Sequence, residues 1–353
     1  MLQIQTNEAV RTRQGEEPNW VNLEKYLKEN LVDFQKIVEI NQYPGGYSNL
    51  TYQVISQTRE YVMRRAPLGA NIKNAHDMSR EYKVLSMLQK QYKAIPKVEM
   101  YCDDETIIGA PFYLMEKVEG LILRAKNITN YEFTAEKWKH LSETLVDNLA
   151  NLHQINIYES DLVSLGKPEG YVDRQVEGWI IRYSKSKTDE ISNMDSVALW
   201  LNKNKPRAQK HAFIHNDYKY DNVIFNNELT EVKAVLDWEM ATVGDPLMDL
   251  GATLAYWCEK DEGDFLKTMN ITWLEGNLNR KEVVNRYANI TKIDTSDILF
   301  YYIFGLYKNA VIIQQIYARW KAGLTKDPRF ERLIFGVKEL ANLAETAIIL
   351  KSI

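Results

Sequence analysis

Residues 211–225, HAFIHNDYKYDNVIF, set two short apolar runs, Phe213-Ile214 and Val223-Ile224-Phe225, around a knot of His215, Asn216, Asp217, Lys219, Asp221 and Asn222. Runs of this length and β-type content fit short buried strands. Charge packed between two such strands needs partners or solvent, because an unpaired buried charge is expensive. The next residues, VIFNNELTEVKAVLD, place two apolar stretches about a polar NNELTE turn, the pattern of an antiparallel hairpin. Such a hairpin begins at Asn222 and ends at Asp237, so its two ends lie side by side. With Asp217, they gather two carboxylates and an amide oxygen at one mouth. Hard oxygen donors of this kind suit Mg²⁺, which binds through one or two carboxylates, waters and substrate phosphates.

The segment interrupts a half of the chain that otherwise reads as helix. Before it, Trp20 to Asn30 alternate at helical spacing, and then the period changes. Val38-Glu39-Ile40, Leu50 to Ile55 and Glu60 to Met63 carry β-branched and aromatic residues, with Gly45-Gly46 and SQTRE between them, and predict an antiparallel meander. AHDMSREYKVLSMLQKQY follows as an amphipathic helix with Met78, Tyr82, Leu85 and Leu88 on one face, expected to stop at Pro96. PFYLMEKVEG, residues 111–120, predicts another strand. From about residue 120 helices dominate. Residues 134–155 carry Trp138, Leu141, Leu145, Leu149 and Leu152 on one stripe, residues 185–196 look like a polar connection, and residues 297–320 are apolar nearly all round, as in a buried central helix. FGVKELANLAETAIIL closes the chain as a helix. The expected class is α+β: a small antiparallel β-sheet lobe over residues 1–115 and a larger, mainly helical lobe over 116–353.

A net charge of −4, from 44 Lys and Arg against 48 Asp and Glu, argues against a broad nucleic-acid footprint. Cys102 and Cys258 are the only cysteines, too few for a disulfide framework or a cysteine-rich metal site. The first twenty residues show no signal-peptide pattern, and no apolar run is long enough to span a membrane. The expectation is a cytoplasmic protein that engages neither nucleic acid nor membrane.

HNDYKYDN, with an Asp after a following hairpin, resembles the His-x-Asp-x-x-x-x-Asn catalytic loop and metal-binding Asp of the protein-kinase-like fold. The nearer resemblance is to the phosphotransferase family of aminoglycoside and choline kinase relatives. GGYSNLTYQV, YVMRR, LDWE and GDPLMDL carry it, and with QQIYARW the whole is most similar to the phosphotransferase-type domain fused to some acyl-CoA dehydrogenases. It covers residues 35–345 and implies a bilobal kinase-like fold. The implied activity is ATP-dependent, Mg²⁺-assisted transfer of the γ-phosphoryl group to a hydroxyl of a small molecule.

Phosphoryl transfer is mostly positioning and charge neutralisation, and the resemblance assigns roles accordingly. Asp217 would orient or deprotonate the acceptor hydroxyl, and Lys219 would offset charge near the γ-phosphate. Asn222 and Asp237 would hold Mg²⁺, while His215 would lock the loop. Gly45 and Gly46 would let the backbone approach phosphates, with Ser48 adding a contact. Arg64 would replace the usual strand lysine on the α- and β-phosphates, with Glu81 as its ion-pair partner. Arg65 is the competitor, because a strand alternates faces. Residues 115–118, including Glu116 and Val118, would form the hinge at the adenine edge. Asn216 stands where these kinases usually have Gly, and Glu239 departs from Gly likewise.

Plainer readings accompany these. Gly45-Gly46 alone is a turn, Arg64 a surface charge, Glu81 a helix-surface acid. Asp245 would cap a helix begun by Pro246, and Asp249 would brace the catalytic loop. His140 and His153 would sit at helix stripes. Residues 256–264, YWCEKDEGD, read as a solvated acidic loop or as a face for a cationic acceptor. Only Trp238 to Val243 separate Asp237 from GDPLMDL, which leaves no room for a peptide-docking activation segment. The alternative class is a catalytically silent nucleotide-binding scaffold of the same fold.

Overall fold

The computed structural model describes residues 9–13, 15–43, 49–67, 77–128, 131–325 and 327–353. Gly45, Gly46 and Ser48 lie outside the described residues. The chain forms two compact units: residues up to 122 with 223–239, and residues 123–222 with 240–353.

The first unit is built on a six-stranded antiparallel sheet in the order β1-β2-β3-β4-β6-β5. Its elements are β1 (Val10–Arg11), α1 (Trp20–Asn30), β2 (Ile37–Gln42), β3 (Leu50–Ser56), β4 (Glu60–Arg65), α2 (Met78–Leu88), β5 (Val98–Cys102), α3 (Glu105–Ile108) and β6 (Phe112–Glu116). The expected meander is β2-β3-β4, with Tyr52 opposite Met63 and Val54 opposite Tyr61. These four side chains share one face and pack with Leu23 and Leu27 of α1, both fully buried. Removing a leucine of that size from water stabilises the fold by about 1.5–3 kcal/mol. Asn19 caps α1 by accepting the Asn22 N–H. α2 ends at Leu88, well before Pro96, where the chain passes into a turn over residues 89–91.

The second unit takes up α4 (Ala135–His153), α5 (Tyr171–Ser186), α6 (Ser192–Lys203) and β7 (Ala212–Ile214). The expected connection over 185–196 shrinks to 187–191, since its polar residues form the end of α5 and the first turn of α6. The chain then returns to the first unit as the hairpin β8 (Val223–Phe225) and β9 (Val232–Val235), Val223 facing Val235. Ile224 and Ala234 pack with Ile122, and Val235 donates its N–H to Ala94. β10 (Thr242–Gly244) pairs antiparallel with β7, and α7 (Pro246–Tyr256) starts at an Asp245 cap with Pro246 in its first turn. α8 (Asp264–Met269), α9 (Arg280–Thr291), α10 (Ile298–Lys321) and α11 (Leu333–Leu350) complete it.

α10 is buried over most of its length and packs against α5, α6, α7 and α11. Its crossing with α7 is made by two glycines. A Cβ on Gly251 would stand 2.2 Å from the Tyr301 carbonyl oxygen, and one on Gly305 2.3 Å from the Gly251 carbonyl oxygen. Gly251→Ala is therefore expected to cost about 1–3 kcal/mol through overpacking, read as a lower urea midpoint at unchanged slope.

The acidic run 256–264 is solvated only in part, with Lys260, Asp261 and Asp264 exposed. Trp257 and Cys258 are buried. Glu262 pairs with the Arg280 guanidinium at 2.6 Å, and Glu259 accepts the Arg280 N–H at 2.9 Å. Glu259 and Glu262 thus serve the start of α9. Among the described residues, no helix is long and apolar enough to cross a membrane.

Candidate active site

In the second unit the HNDYKYDN loop leaves β7 through a sharp turn. Asn216 has φ +67, the left-handed region that Asn tolerates better than most side chains. It can therefore hold this turn without a glycine. The turn is gripped from every side. Asp249 in α7 accepts the His215 N–H at 2.6 Å and the Asn216 N–H at 2.7 Å. Asp249 also meets His153 Nε2 at 3.0 Å, and the other ring nitrogen meets the Tyr287 hydroxyl at 2.7 Å. The Asn216 side chain donates to the Met240 carbonyl and meets the Tyr171 hydroxyl. Lys308 of α10 donates to the Asn216 carbonyl at 2.5 Å. Its ammonium is buried, which lowers its pKa to about 8 against the pull of Asp217 and Asp249.

His215 Nδ1 accepts the Asp217 N–H at 3.1 Å, and the Tyr218 hydroxyl ties the loop to Leu145 and Asn148 of α4. The Asp217 carboxylate is then surrounded. Lys219 Nζ lies 2.9 Å from both oxygens, the Tyr256 hydroxyl donates to Oδ1 at 2.7 Å, and Asn222 Nδ2 donates to Oδ2 at 2.8 Å. Burial alone would raise this carboxyl. The Lys219 charge and the hydrogen bonds from Tyr256 and Lys219 outweigh it and hold Asp217 below its ordinary value. Burial likewise works against the Lys219 ammonium, but Tyr256 and Asp217 hold its pKa above the ordinary lysine range. The loop thus presents a carboxylate kept ionised beside a fixed positive charge. The Asn222 amide nitrogen is engaged, and its oxygen has no hydrogen bond among the described residues.

In the first unit, the alternation of β4 separates the two arginines. Arg65 is fully buried on the Tyr61-Met63 face, bonded to the Tyr52 hydroxyl and the Glu16 carbonyl. Arg64 points to the other face, where Nη1 meets Glu81 Oε1 of α2 at 2.5 Å and Nη2 meets Asp237 Oδ1 at 3.3 Å. Burial disfavours its charge, yet Glu81, Tyr113 and Asp237 hold it well above the ordinary arginine value. Asp237 itself has φ +67 at the end of the hairpin, and its side chain is 37% exposed. Glu239 is committed to structure, accepting from Asn49 Nδ2 at 3.2 Å. Glu116 ends β6 with its N–H on the Lys97 carbonyl. Val118, two residues on, has no backbone hydrogen bond among the described residues.

Two groupings of the expected residues therefore exist: Asp217, Lys219 and Asn222 in one unit, and Arg64, Glu81 and Asp237 in the other. Sequence reading missed Tyr256 and Lys308. Tyr256 was hidden inside a run singled out for acidity. Lys308 left a usable signal, as the only charged residue of α10 before Arg319.

A kinase-type loop with a half-buried, ionised Asp beside Lys in a helical unit, together with a unit built on an antiparallel sheet, defines a kinase-like phosphotransferase fold. The model of the phosphotransferase enzyme family matches residues 39–283, and the chain belongs to that family. It is 33% identical over 308 residues to acyl-CoA dehydrogenase family member 10 of Mus musculus, covering 85% of this chain but 28% of that protein. The chain thus spans little more than a quarter of that relative's length. Among solved structures, a candidate aminoglycoside phosphotransferase from Ralstonia eutropha JMP134 superposes with TM-score 0.79 at 27% identity, over 94% of this chain and 99% of that one. Choline kinase from Cryptosporidium parvum Iowa II reaches TM-score 0.65 at 15% identity, over 93% of this chain and 96% of that one. A spectinomycin phosphotransferase solved with ADP and spectinomycin reaches 0.56 at 13% over 94% and 99%. These last two likenesses show the fold alone. The findings support a small-molecule phosphotransferase.

Proposed function

We propose that this chain is an ATP-dependent kinase that transfers the γ-phosphoryl group to a hydroxyl of a small molecule, assisted by Mg²⁺. The observation that carries the reading is the Asp217 carboxylate, ionised and fixed between Lys219 and Asn222. A base so held can orient the acceptor hydroxyl and take its proton, while Lys219 offsets charge on the transferring group.

The donor chemistry fits Mg²⁺. The Asn222 amide oxygen has no hydrogen bond among the described residues, and Asp237 offers a carboxylate that is 37% exposed. Both are hard oxygen donors of the kind that ion takes alongside phosphate and water. Asn222 and Asp237 would hold the metal, which when bound neutralises phosphate charge. Arg64, kept charged by Glu81, would fork onto phosphate oxygens, and Gly45, Gly46 and Ser48 would cradle them. The free backbone of Val118 suits the adenine edge better than Glu116, whose N–H is already engaged by Lys97. A cytoplasmic setting, where ATP is abundant, fits this role.

Calorimetry with Mg·ATP, followed by ATP turnover against a panel of hydroxylated metabolites, tests the reading. Asp237→Ala is expected to weaken Mg·ATP binding by about 10–100-fold, the usual loss when a metal's support is cut. Tight Mg·ATP binding by the wild-type chain with no turnover on any acceptor would favour the silent scaffold instead.

A further inference from the structure

The Asp217 carboxylate has no room left. An ionised carboxylate offers about four lone-pair positions. Oδ1 accepts from the Tyr256 hydroxyl and Lys219, and Oδ2 accepts from Asn222 and Lys219. An acceptor hydroxyl that hands its proton to Asp217 must first donate a hydrogen bond to it, so one donor has to leave. Lys219 is the charge partner of the loop. The Asn222 amide is doubly tied, donating to the Asp217 carbonyl oxygen as well, at 2.9 Å.

Tyr256 differs from both. It comes from another element, the last residue of α7. It presents to Asp217 the same group the acceptor would present, a hydroxyl. Its ring has a second anchor, since Lys219 Nζ lies over it at 4.4 Å from the centroid. The hydroxyl can therefore leave Asp217 while the ring keeps its cation–π contact. Tyr256 also lines a small cavity with Lys219, Tyr220, Thr253, Trp257 and Asn270. Within that lining, beside Tyr256 and Lys219, the buried Thr253 hydroxyl has no hydrogen-bond partner among the described residues.

We propose that the Tyr256 hydroxyl occupies the acceptor's place on Asp217, and that the acceptor hydroxyl displaces it. Tyr256 is then a positioning residue with a selective effect. Water, which binds weakly, fails to displace the tyrosine and is a poor phosphoryl acceptor; a hydroxyl held by further contacts succeeds. This rests on the kinase reading above.

The test uses water as the probe acceptor, so the natural acceptor need not be known. Tyr256→Phe keeps the ring over Lys219 and vacates one Asp217 lone pair. Acceptor-free hydrolysis of Mg·ATP is expected to rise about tenfold, the scale of one hydrogen bond to a charged group, with the KM for ATP unchanged. Adding Asp217→Asn should return hydrolysis to background. A purely structural tyrosine would lower turnover, or raise KM with it. Hydrolysis unchanged or lowered in Tyr256→Phe, with Mg·ATP still bound, overturns the displacement idea and leaves the kinase reading standing. Absence of Mg·ATP binding in the wild-type chain removes that reading, and this proposal with it.

Discussion

Asp217→Asn is expected to slow phosphoryl transfer by about a thousandfold, within the range general-base groups contribute, while changing Mg·ATP affinity by less than about threefold. The asymmetry follows from where the carboxylate is held. Asp217 is gripped by Lys219, Tyr256 and Asn222, all of its own unit. Arg64, Glu81 and Asp237, which the proposal gives to nucleotide and metal, touch one another instead. Asparagine keeps the shape and one acceptor oxygen but carries no charge, and it turns an amide N–H₂ toward a ring of donors. Lys219 loses its counter-ion and its place beside the transferring group. Single-turnover ATP consumption and calorimetry on the same preparation check the two halves. Equal losses of binding and turnover, or a thermal midpoint shifted as far as in a core variant, would undo the assigned role. The kinetic form matters too: an interaction made only in the transition state lowers kcat and kcat/KM together.

Local patterns made much of this legible. The period-2 alternation of EYVMRR already requires that Arg64 and Arg65 face opposite ways, and β4 obeys it. The turn NNELTE between apolar runs marks β8 and β9, and Asp245-Pro246 marks the start of α7. What sequence hid was long-range. Nothing near Asp217 in the chain points to Tyr256 or Lys308, 39 and 92 positions away from their loop partners. The hairpin's docking onto Ile122 and Ala94 is equally invisible to a pass along the chain. Pro96 is a strong stop signal and so suggests a later end for α2 than Leu88, because the turn over residues 89–91 carries no such marker in the sequence. The acids of 256–264 misled because composition reports charge but not the buried arginine that absorbs it. The polar helix ends at 185–196 look like a connection in sequence because amphipathicity fades where a helix terminus is solvated.

Asp249→Ala should be the most damaging single change to the fold of the loop, at about 3–5 kcal/mol, the scale for breaking a fully buried charged cluster from one side. The side chain is inaccessible to solvent, and both oxygens are engaged. Oδ2 accepts from the His215 N–H and His153 Nε2, and Oδ1 from the Asn216 N–H. Alanine removes the acceptor of two backbone N–H groups and of the His153 ring, and frees a turn that holds Asn216 at positive φ. Asparagine does not rescue it, because an amide N–H₂ must then face an N–H. The pH dependence has a definite sign. Burial would raise the Asp249 carboxyl, but the His153 hydrogen bond and the neighbouring imidazoles hold it below its ordinary 3.8. A depressed folded-state value means the contribution is complete above the unfolded carboxyl's value and disappears as pH falls through the folded one. The stability gap between wild type and Asp249→Ala, measured by urea unfolding, should therefore be constant near neutrality and close progressively below about pH 3.8. A gap that stays constant down to acid unfolding would mean the carboxylate's charge is not what braces the loop. A gap under about 1 kcal/mol at neutral pH would put Asp249 with ordinary surface substitutions. Turnover should fall further than the loss of folded protein accounts for, because Asp217 hangs from His215 Nδ1 and Lys308 from the Asn216 carbonyl.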